Sequence, residues 1–250
     1  MAKTGMSAAE IETMRSVEDE LWWYRALRRH VLHSIDPPRA AFQLLDAGCG
    51  TGGMLSYVRG RFPQAQLTGL DYGPRALELT AQRNLRAELV QGSTDALPFE
   101  DDFFDVVLSI DVLVLHGVDD QRAARELHRV LRPGGTLIIN VAAFDFLRGS
   151  HDAATNMARR YTRSRLQLLL TSAGFAIRRM SYWNMSLMPA VAAVRWMSRT
   201  KAQQPDVRSD LKPIWPPLNA LLTGLTQAEL AISGTVPLPF GTSLFAIAWK

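Results

Sequence analysis

Apolar runs alternate with helix-like patterns up to about residue 142, and this alternation predicts βαβ units around a parallel sheet. The predicted strands are Gln43–Ala47, residues 67–71, residues 88–91, Phe104–Ile110 and residues 135–142. Helices are predicted between them, at Gly53–Arg61, residues 74–84 and Asp120–Val130. Pro74, just after Asp71-Tyr72-Gly73, suits the first turn of a helix. Arg132-Pro133-Gly134-Gly135 is a stop-and-turn signal ahead of the fifth strand.

The pattern then changes. Residues 163–173 read as a helix closed by Gly174, residues 175–182 as a sixth strand and Ser243–Trp249 as a seventh. About sixty residues separate the last two, a length that implies a lid or a segment with structure of its own. Within it, residues 187–197 are apolar, with Arg195 and Arg199 at their end, and residues 203–210 form a polar linker. Trp215-Pro216-Pro217 breaks the chain before a second helix. Leu218, Leu221, Leu222, Leu225 and Ile232 give that helix a one-sided apolar face. Its readings are a pair of helices packed on the sheet or on each other, a cap over an active site, a homodimer contact, or a patch that touches a membrane.

The chain has 250 residues and 47% hydrophobic content, enough for a single well-filled domain. Within it we expect an N-terminal helical cap over residues 1–38 and a helical insertion over residues 184–241. No signal peptide is visible, and no apolar run reaches the ~20 residues of a membrane span. The lone Cys49 excludes an intrachain disulfide and fits a reducing, cytoplasmic setting. It lies inside a glycine-rich turn, where a small residue filling a tight space is the plain reading and a nucleophile lacks a basic partner. The formal charge of +4 comes with basic clusters at residues 25–30, 159–165 and 195–201. These are either solvated helix faces or attractors for an anionic substrate, nucleic acid or lipid head groups.

The turn after the first strand, Asp46-Ala47-Gly48-Cys49-Gly50-Thr51-Gly52-Gly53, carries the clearest chemistry. Gly48, Gly50 and Gly53 fit the G-x-G-x-x-G of dinucleotide binders. Asp46, Gly48, Gly50 and Gly52 fit the D-x-G-x-G-x-G of S-adenosylmethionine (SAM) binders. An acidic residue at the end of the second strand, Asp71, can accept from both ribose hydroxyls in either case. Three features favour SAM. A carboxylate at Asp46 suits a cationic ligand better than a pyrophosphate. Asp95, after the third strand, can accept from an adenine amino group while the next backbone N–H donates to the ring. A closing strand pair after five parallel strands departs from the ordinary dinucleotide pattern, which leaves an NAD-dependent oxidoreductase as a minor reading.

With these residues the chain resembles the class I SAM-dependent methyltransferases, in particular a type 11-like bacterial subgroup of small-molecule and glycan biosynthesis. Four ordered segments carry the resemblance: residues 44–53, residues 69–73, residues 92–99 with 105–111, and ELHRVLRPGGTLIIN at residues 126–140. The resemblance implies an α/β, Rossmann-like seven-stranded sheet of order 3-2-1-4-5-7-6, last strand antiparallel, with helices on both faces. It also implies SAM as cofactor and S-adenosylhomocysteine as product. Asp46, Gly48, Cys49, Gly50 and Gly52 would hold the methionine part, and Asp71 with Tyr72 the ribose. Ser93, Thr94, Asp95 and Ala96 would border the adenine, and Ile110 and Asp111 the methionine end. Glu20-Leu21-Trp22-Trp23-Tyr24-Arg25 and the segment ending Arg160-Tyr161-Thr162-Arg163 resemble flanking segments of that subgroup. Ala26 and Leu27 stand where Gly-Arg is common.

Methyl transfer is an in-line attack on an already activated methyl, so the protein mainly aligns the acceptor. A hydroxyl acceptor also needs a general base. His116, after the fourth strand, is the candidate base, with Tyr24 and Tyr161 as alternative acceptor-side groups. Trp22 and Trp23 are candidate pocket walls, and Arg160 a candidate contact for an anionic substrate. His151 and Asp152 are adjacent without a third ligand, so no metal is expected. The expected activity is methylation of a small-molecule or biosynthetic acceptor, at oxygen. Nucleic-acid methylation and a non-catalytic SAM-binding protein are the alternatives. The chain lacks an Asn/Asp-Pro-Pro-aromatic acceptor loop and any separate RNA-binding module, which argues against nucleic acid.

Overall fold

The computed structural model describes residues 6–201, 211–233 and 236–250. The predicted polar linker at residues 203–210 lies outside them. Two helices, α1 (Ala8–Val17) and α2 (Trp22–Ser34), precede β1 (Gln43–Ala47). There follow α3 (Gly53–Arg61), β2 (Gln66–Asp71), α4 (Pro74–Ala81), β3 (Ala87–Gln91), β4 (Phe104–Ile110), α5 (Asp120–Val130) and β5 (Leu131–Ala142). The chain continues through α6 (Ser150–Ala154), α7 (Arg163–Ser172), β6 (Ala176–Trp183), α8 (Met188–Lys201), α9 (Pro216–Ser233) and β7 (Ser243–Trp249).

The seven strands form one sheet of order β3-β2-β1-β4-β5-β7-β6. β1 to β5 pair in parallel, and β7 runs antiparallel to both β5 and β6. Central strands of such a sheet are covered on both faces, which is why Leu44, Leu45, Val106, Val107 and Leu108 are all buried. Leu45 and Val107 join one apolar cluster with α5 and α7, and Leu44 and Val106 join the other with α2 and α3. β1 has β2 on one side and β4 on the other, so the chain leaves their carboxyl ends in opposite directions. A crevice opens at that switch point, and it is where the glycine loop lies.

Some boundaries differ from the pattern-based expectation. The Arg-Pro-Gly-Gly signal interrupts pairing without ending it. Leu131 pairs with Phe104, the register shifts, and pairing resumes at Thr136 opposite Val106. α4 stops at Ala81, three residues early, because Asn84 and Arg86 take positive φ. The segment between β6 and β7 holds two helices, and α9 does not turn its apolar stripe inward, as the reading of a pair packed on the sheet would require. Its buried residues are Thr223, Thr226, Glu229 and Ser233, whereas Leu218, Leu221, Leu225 and Ile232 are exposed, Leu221 by 67%. Polar contacts dictate this orientation. Glu229 accepts from the backbone N–H groups of Met185 and Ser186, both at 2.8 Å, and from the Ser186 hydroxyl. Asn219 accepts from the backbone N–H of Trp22 at 2.9 Å and donates to Glu20 O, which fastens α9 to the start of α2. Among the described residues no helix is long and apolar enough to cross a membrane.

Candidate cofactor site

The loop after β1 is held by its neighbours at several points. The N–H groups of Gly48 and Cys49 both donate to Leu70 O, at 2.7 and 2.9 Å. Gly48 has φ +104°, and a Cβ there would run into the Val112 side chain beyond β4. Only glycine accommodates both demands. Asp71, at the end of β2, accepts from Gly50 N at 2.9 Å and from Gly73 N at 2.8 Å, which orients its carboxylate across the loop. Burial pushes its pKa up, against the pull of those N–H donors.

Asp46 closes β1 beneath this loop. It is 1% exposed, and neither of its carboxylate oxygens has a hydrogen-bond partner. Burial, and then the Asp71 charge, raise its pKa to about 7, with Arg28 opposing. A carboxylate left without donors in the interior is costly unless a cation arrives to meet it. The donor set therefore fits a ligand that carries an ammonium or sulfonium, and it does not fit a pyrophosphate.

On the opposite side of the crevice, Asp111 follows β4 at φ +56°, a rare backbone region for a residue other than glycine. Asn140 Nδ2 donates to its two carboxylate oxygens at 3.1 and 3.0 Å, and Asn140 Oδ1 accepts from Trp183 Nε1 at 2.8 Å. Burial pushes the Asp111 pKa up to about 7, with Asn140 and Arg160 opposing. Trp183 in turn stacks on Trp23 of α2, with ring centroids 5.9 Å apart, and Trp23 meets Tyr24 edge-on at 5.0 Å. The Tyr24 pKa is raised by burial and then by the Glu18 and Asp111 charges.

The N-terminal helices are strapped to the loop by a buried charge network. Glu18 accepts from the Thr51 hydroxyl, from Arg83 at 2.6 Å and from Arg28 at 2.5 Å. Arg28, 2% exposed, also reaches Asp19 at 3.1 Å and lies over the Tyr57 ring. Gly53 makes room for it, since a Cβ there would strike the Arg28 and Glu18 side chains.

Several expectations need revision. Tyr161 is fully buried, its hydroxyl donates to Asp120 at 2.7 Å, and it faces the core instead of an acceptor. Arg160 is buried too, forked onto Asp152 at 2.6 and 3.0 Å and donating to Ala143 O, so it props the wall behind Asp111 and is not open to an anionic substrate. His116 is exposed on the loop beyond β4, and among the described residues no hydrogen bond fixes its ring. The Ala96 N–H donates to Ser93 O, closing a turn, so it does not point outward as an adenine contact. Asp95 accepts from the Ser93 hydroxyl at 2.6 Å and from Asp119 N at 3.2 Å, and Thr94 is buried beside it. Tyr72 is exposed at the rim and Ile110 half-buried beside Asp111. Trp22 contributes a backbone contact to α9, and Trp23 packs in the wall. Burial raises the Cys49 thiol pKa well above its usual value, which suits a space-filling role. Among the described residues no group of three His, Cys, Asp or Glu could hold a metal ion.

Sequence patterns had missed Glu18, Arg28, Arg83, Asn140 and Trp183. One signal was present: Asn140 is polar inside the apolar run Leu137-Ile138-Ile139-Asn140-Val141, where a buried strand residue needs partners.

Residues 45–139 match the family model of a methyltransferase domain. Over these residues the chain is a class I SAM-dependent methyltransferase domain. A malonyl-[acyl-carrier protein] O-methyltransferase from Dechloromonas aromatica is 39% identical over 103 residues, 41% of this chain and 37% of that protein. A fatty-acid O-methyltransferase from Mycolicibacterium smegmatis is 40% identical over 95 residues, 37% of this chain and 34% of that one. The chain thus aligns with little more than a third of the length of these curated relatives. A geranyl diphosphate methyltransferase solved with geranyl diphosphate and sinefungin shares the fold at TM-score 0.62 and 16% identity, covering 90% of this chain and 78% of that one. The family match runs from within β1 to within β5 and includes the glycine loop, and the cofactor is SAM.

Proposed function

We propose that the protein transfers a methyl group from SAM to an oxygen of a small biosynthetic acceptor, of acyl or lipid character. The observation that carries the reading is Asp46, a buried carboxylate with no donor on either oxygen, set under a glycine loop that Asp71 spans. Such a floor favours a cationic ligand. The named activities of the aligned relatives, on a malonyl-acyl carrier and on fatty acids, support an acyl-type acceptor and oxygen as the methylated atom.

SAM, when bound, supplies an electrophilic methyl that needs no further activation. The chain's own residues hold and align. Asp71 takes the ribose, Asp46 and the loop N–H groups the methionyl end, and the surface between Tyr72 and residues 93–96 the adenine. Asp111 takes the proton of a hydroxyl acceptor, a task for which a carboxyl with a pKa pushed up to about 7 is matched near neutral pH. We prefer it to His116 because Asn140 orients it, whereas His116 stands exposed. Tyr24 lines the acceptor side. The insertion, fastened to α2 through Asn219, roofs that side and sets which acceptors enter. The basic segment at residues 159–165 gives little support to a nucleic-acid acceptor, because Arg159, Arg160 and Arg163 bind Asp120, Asp152 and Met180 O.

The test is calorimetry with SAM and S-adenosylhomocysteine, followed by transfer of labelled methyl to fatty acids, malonyl-acyl carrier protein and RNA. Absence of binding to both nucleosides would refute the reading. Labelling of RNA in preference to the acyl acceptors would overturn the acceptor class.

A further inference from the structure

α1 and the residue just past it turn five positions inward at helical spacing: Glu10, Ile11, Met14, Val17 and Glu18. Ile11 packs on Ala76 and Leu79 of α4. Met14 Cε lies 3.2 Å from where a Cβ on Gly50 would stand. The inward face of α1 is therefore laid directly over the cofactor loop.

Two of those five positions are glutamates, and their surroundings differ. Glu18 is met by Thr51, Arg83 and Arg28. Glu10 is also more than nine-tenths buried, at 8% exposure, yet its Oε1 has no hydrogen-bond partner. One turn separates Glu10 from Met14, so the two side chains project over the same stretch of floor. The charges of Glu10 and Asp111 both act on the Tyr24 phenol. Asp46, on the strand that leads into that loop, has oxygens that likewise lack donors. Two buried carboxylates, one on the helix laid over the loop and one on the strand that leads into it, thus have unmet hydrogen-bonding capacity.

We propose that Glu10 is a cofactor-binding residue: α1 lies over the loop as a lid, and the Glu10 carboxylate receives the positive charge at the methionyl end of SAM. The inference rests on the reading of this crevice as a SAM site. The Glu18 strap holds the lid in place whether or not a ligand is present. Glu10 contributes only when a cation lies beneath it, and so makes the lid selective for the charged end of the cofactor.

Calorimetry on the full chain with SAM, S-adenosylhomocysteine and 5′-methylthioadenosine tests this in the native protein and in Glu10→Gln. The second ligand keeps the ammonium and lacks the sulfonium; the third lacks both charges. Glu10→Gln should weaken SAM and S-adenosylhomocysteine by about tenfold, the size of one good charge contact, and leave methylthioadenosine within about twofold. Weakening of SAM alone would place the carboxylate at the sulfonium and also support the proposal. Equal weakening of all three ligands, or of none, would overturn it. Glu10→Asp, which keeps the charge, should recover part of the lost affinity, and a thermal melt of each variant separates lost binding from lost folding. A native protein that binds none of the three would instead refute the SAM reading beneath it.

Discussion

Asn140 donates to both carboxylate oxygens of Asp111, at 3.1 and 3.0 Å, because Trp183 leaves it no other orientation. An indole N–H can only donate, so it claims the Asn140 carbonyl oxygen at 2.8 Å and turns the amide nitrogen toward Asp111. The aspartate that borders the crevice is thus aimed by a tryptophan three strands away in the sheet.

This relay predicts coupled energetics. Asn140→Leu leaves Asp111 and the Trp183 N–H without partners and should destabilise the fold by about 1–3 kcal/mol. Trp183→Phe should cost a similar amount by itself. Because the two share one network, the double variant should lose less than the sum. Urea unfolding of the three variants checks this, and additive losses would contradict the relay.

The strap makes a second prediction. Arg28→Met removes the best-buried cation facing Glu18 and leaves Arg83 as its ion-pair partner. Breaking a buried pair from one side costs about 3–5 kcal/mol, with the lower end expected here. The loss should appear as a lower urea midpoint and as faster proteolysis within α1 and α2. A change below about 1 kcal/mol would mean that the network does not hold the lid.

Asp71 spans the loop through Gly50 N and Gly73 N, so its removal acts on loop order and on the ribose contact proposed for it. Asp71→Ala should weaken SAM by at least about tenfold, a loss of about 1.4 kcal/mol or more, measured by calorimetry. Unchanged affinity would refute its assignment to the ribose.

The carboxyls of Asp46 and Asp111, both with pKa pushed up to about 7, give the protein a distinctive pH response. Unfolded, each titrates near 4. Between pH 4 and 7 the native state therefore binds more protons than the unfolded one, and these two groups make stability fall as pH rises through that window. A bound cation favours the charged carboxylates, so SAM affinity should climb over the same range and binding near pH 6–7 should release protons. Calorimetry in buffers of differing ionisation enthalpy reads that release directly. Asp46→Asn should remove its share, and an unaltered proton count would contradict the assignment.

Much of this protein is legible in its residue order. Strand and helix periodicity in the βαβ half, Pro74 at a helix start and Gly174 at a helix end are local signals, set by backbone torsion and burial over a few residues. The D-x-G-x-G-x-G loop and Asp71 are equally local, since each sits at a strand end that the apolar pattern marks. α9 shows where such reading stops. Its apolar stripe was plain, but which way the stripe faces depended on Glu229 reaching the Met185 and Ser186 amides and on Asn219 capping α2. Hydrophobic periodicity cannot anticipate partners so distant in the chain.

By itself, then, the sequence determined the strands and helices of the βαβ half and the glycine loop, because these rest on short-range patterns, while the sheet order and the cofactor followed from its resemblance to a methyltransferase family. Only the tertiary structure decided which polar residues are available at the site. It engaged Arg160 and Tyr161 in the wall, left His116 on the surface, aimed Asp111 through Asn140 and Trp183, and brought Met14 of α1 against Gly50 of a loop remote in the chain. The reason is physical: whether a charged or polar group is free to bind depends on which donors and acceptors surround it, and those neighbours come from remote parts of the chain.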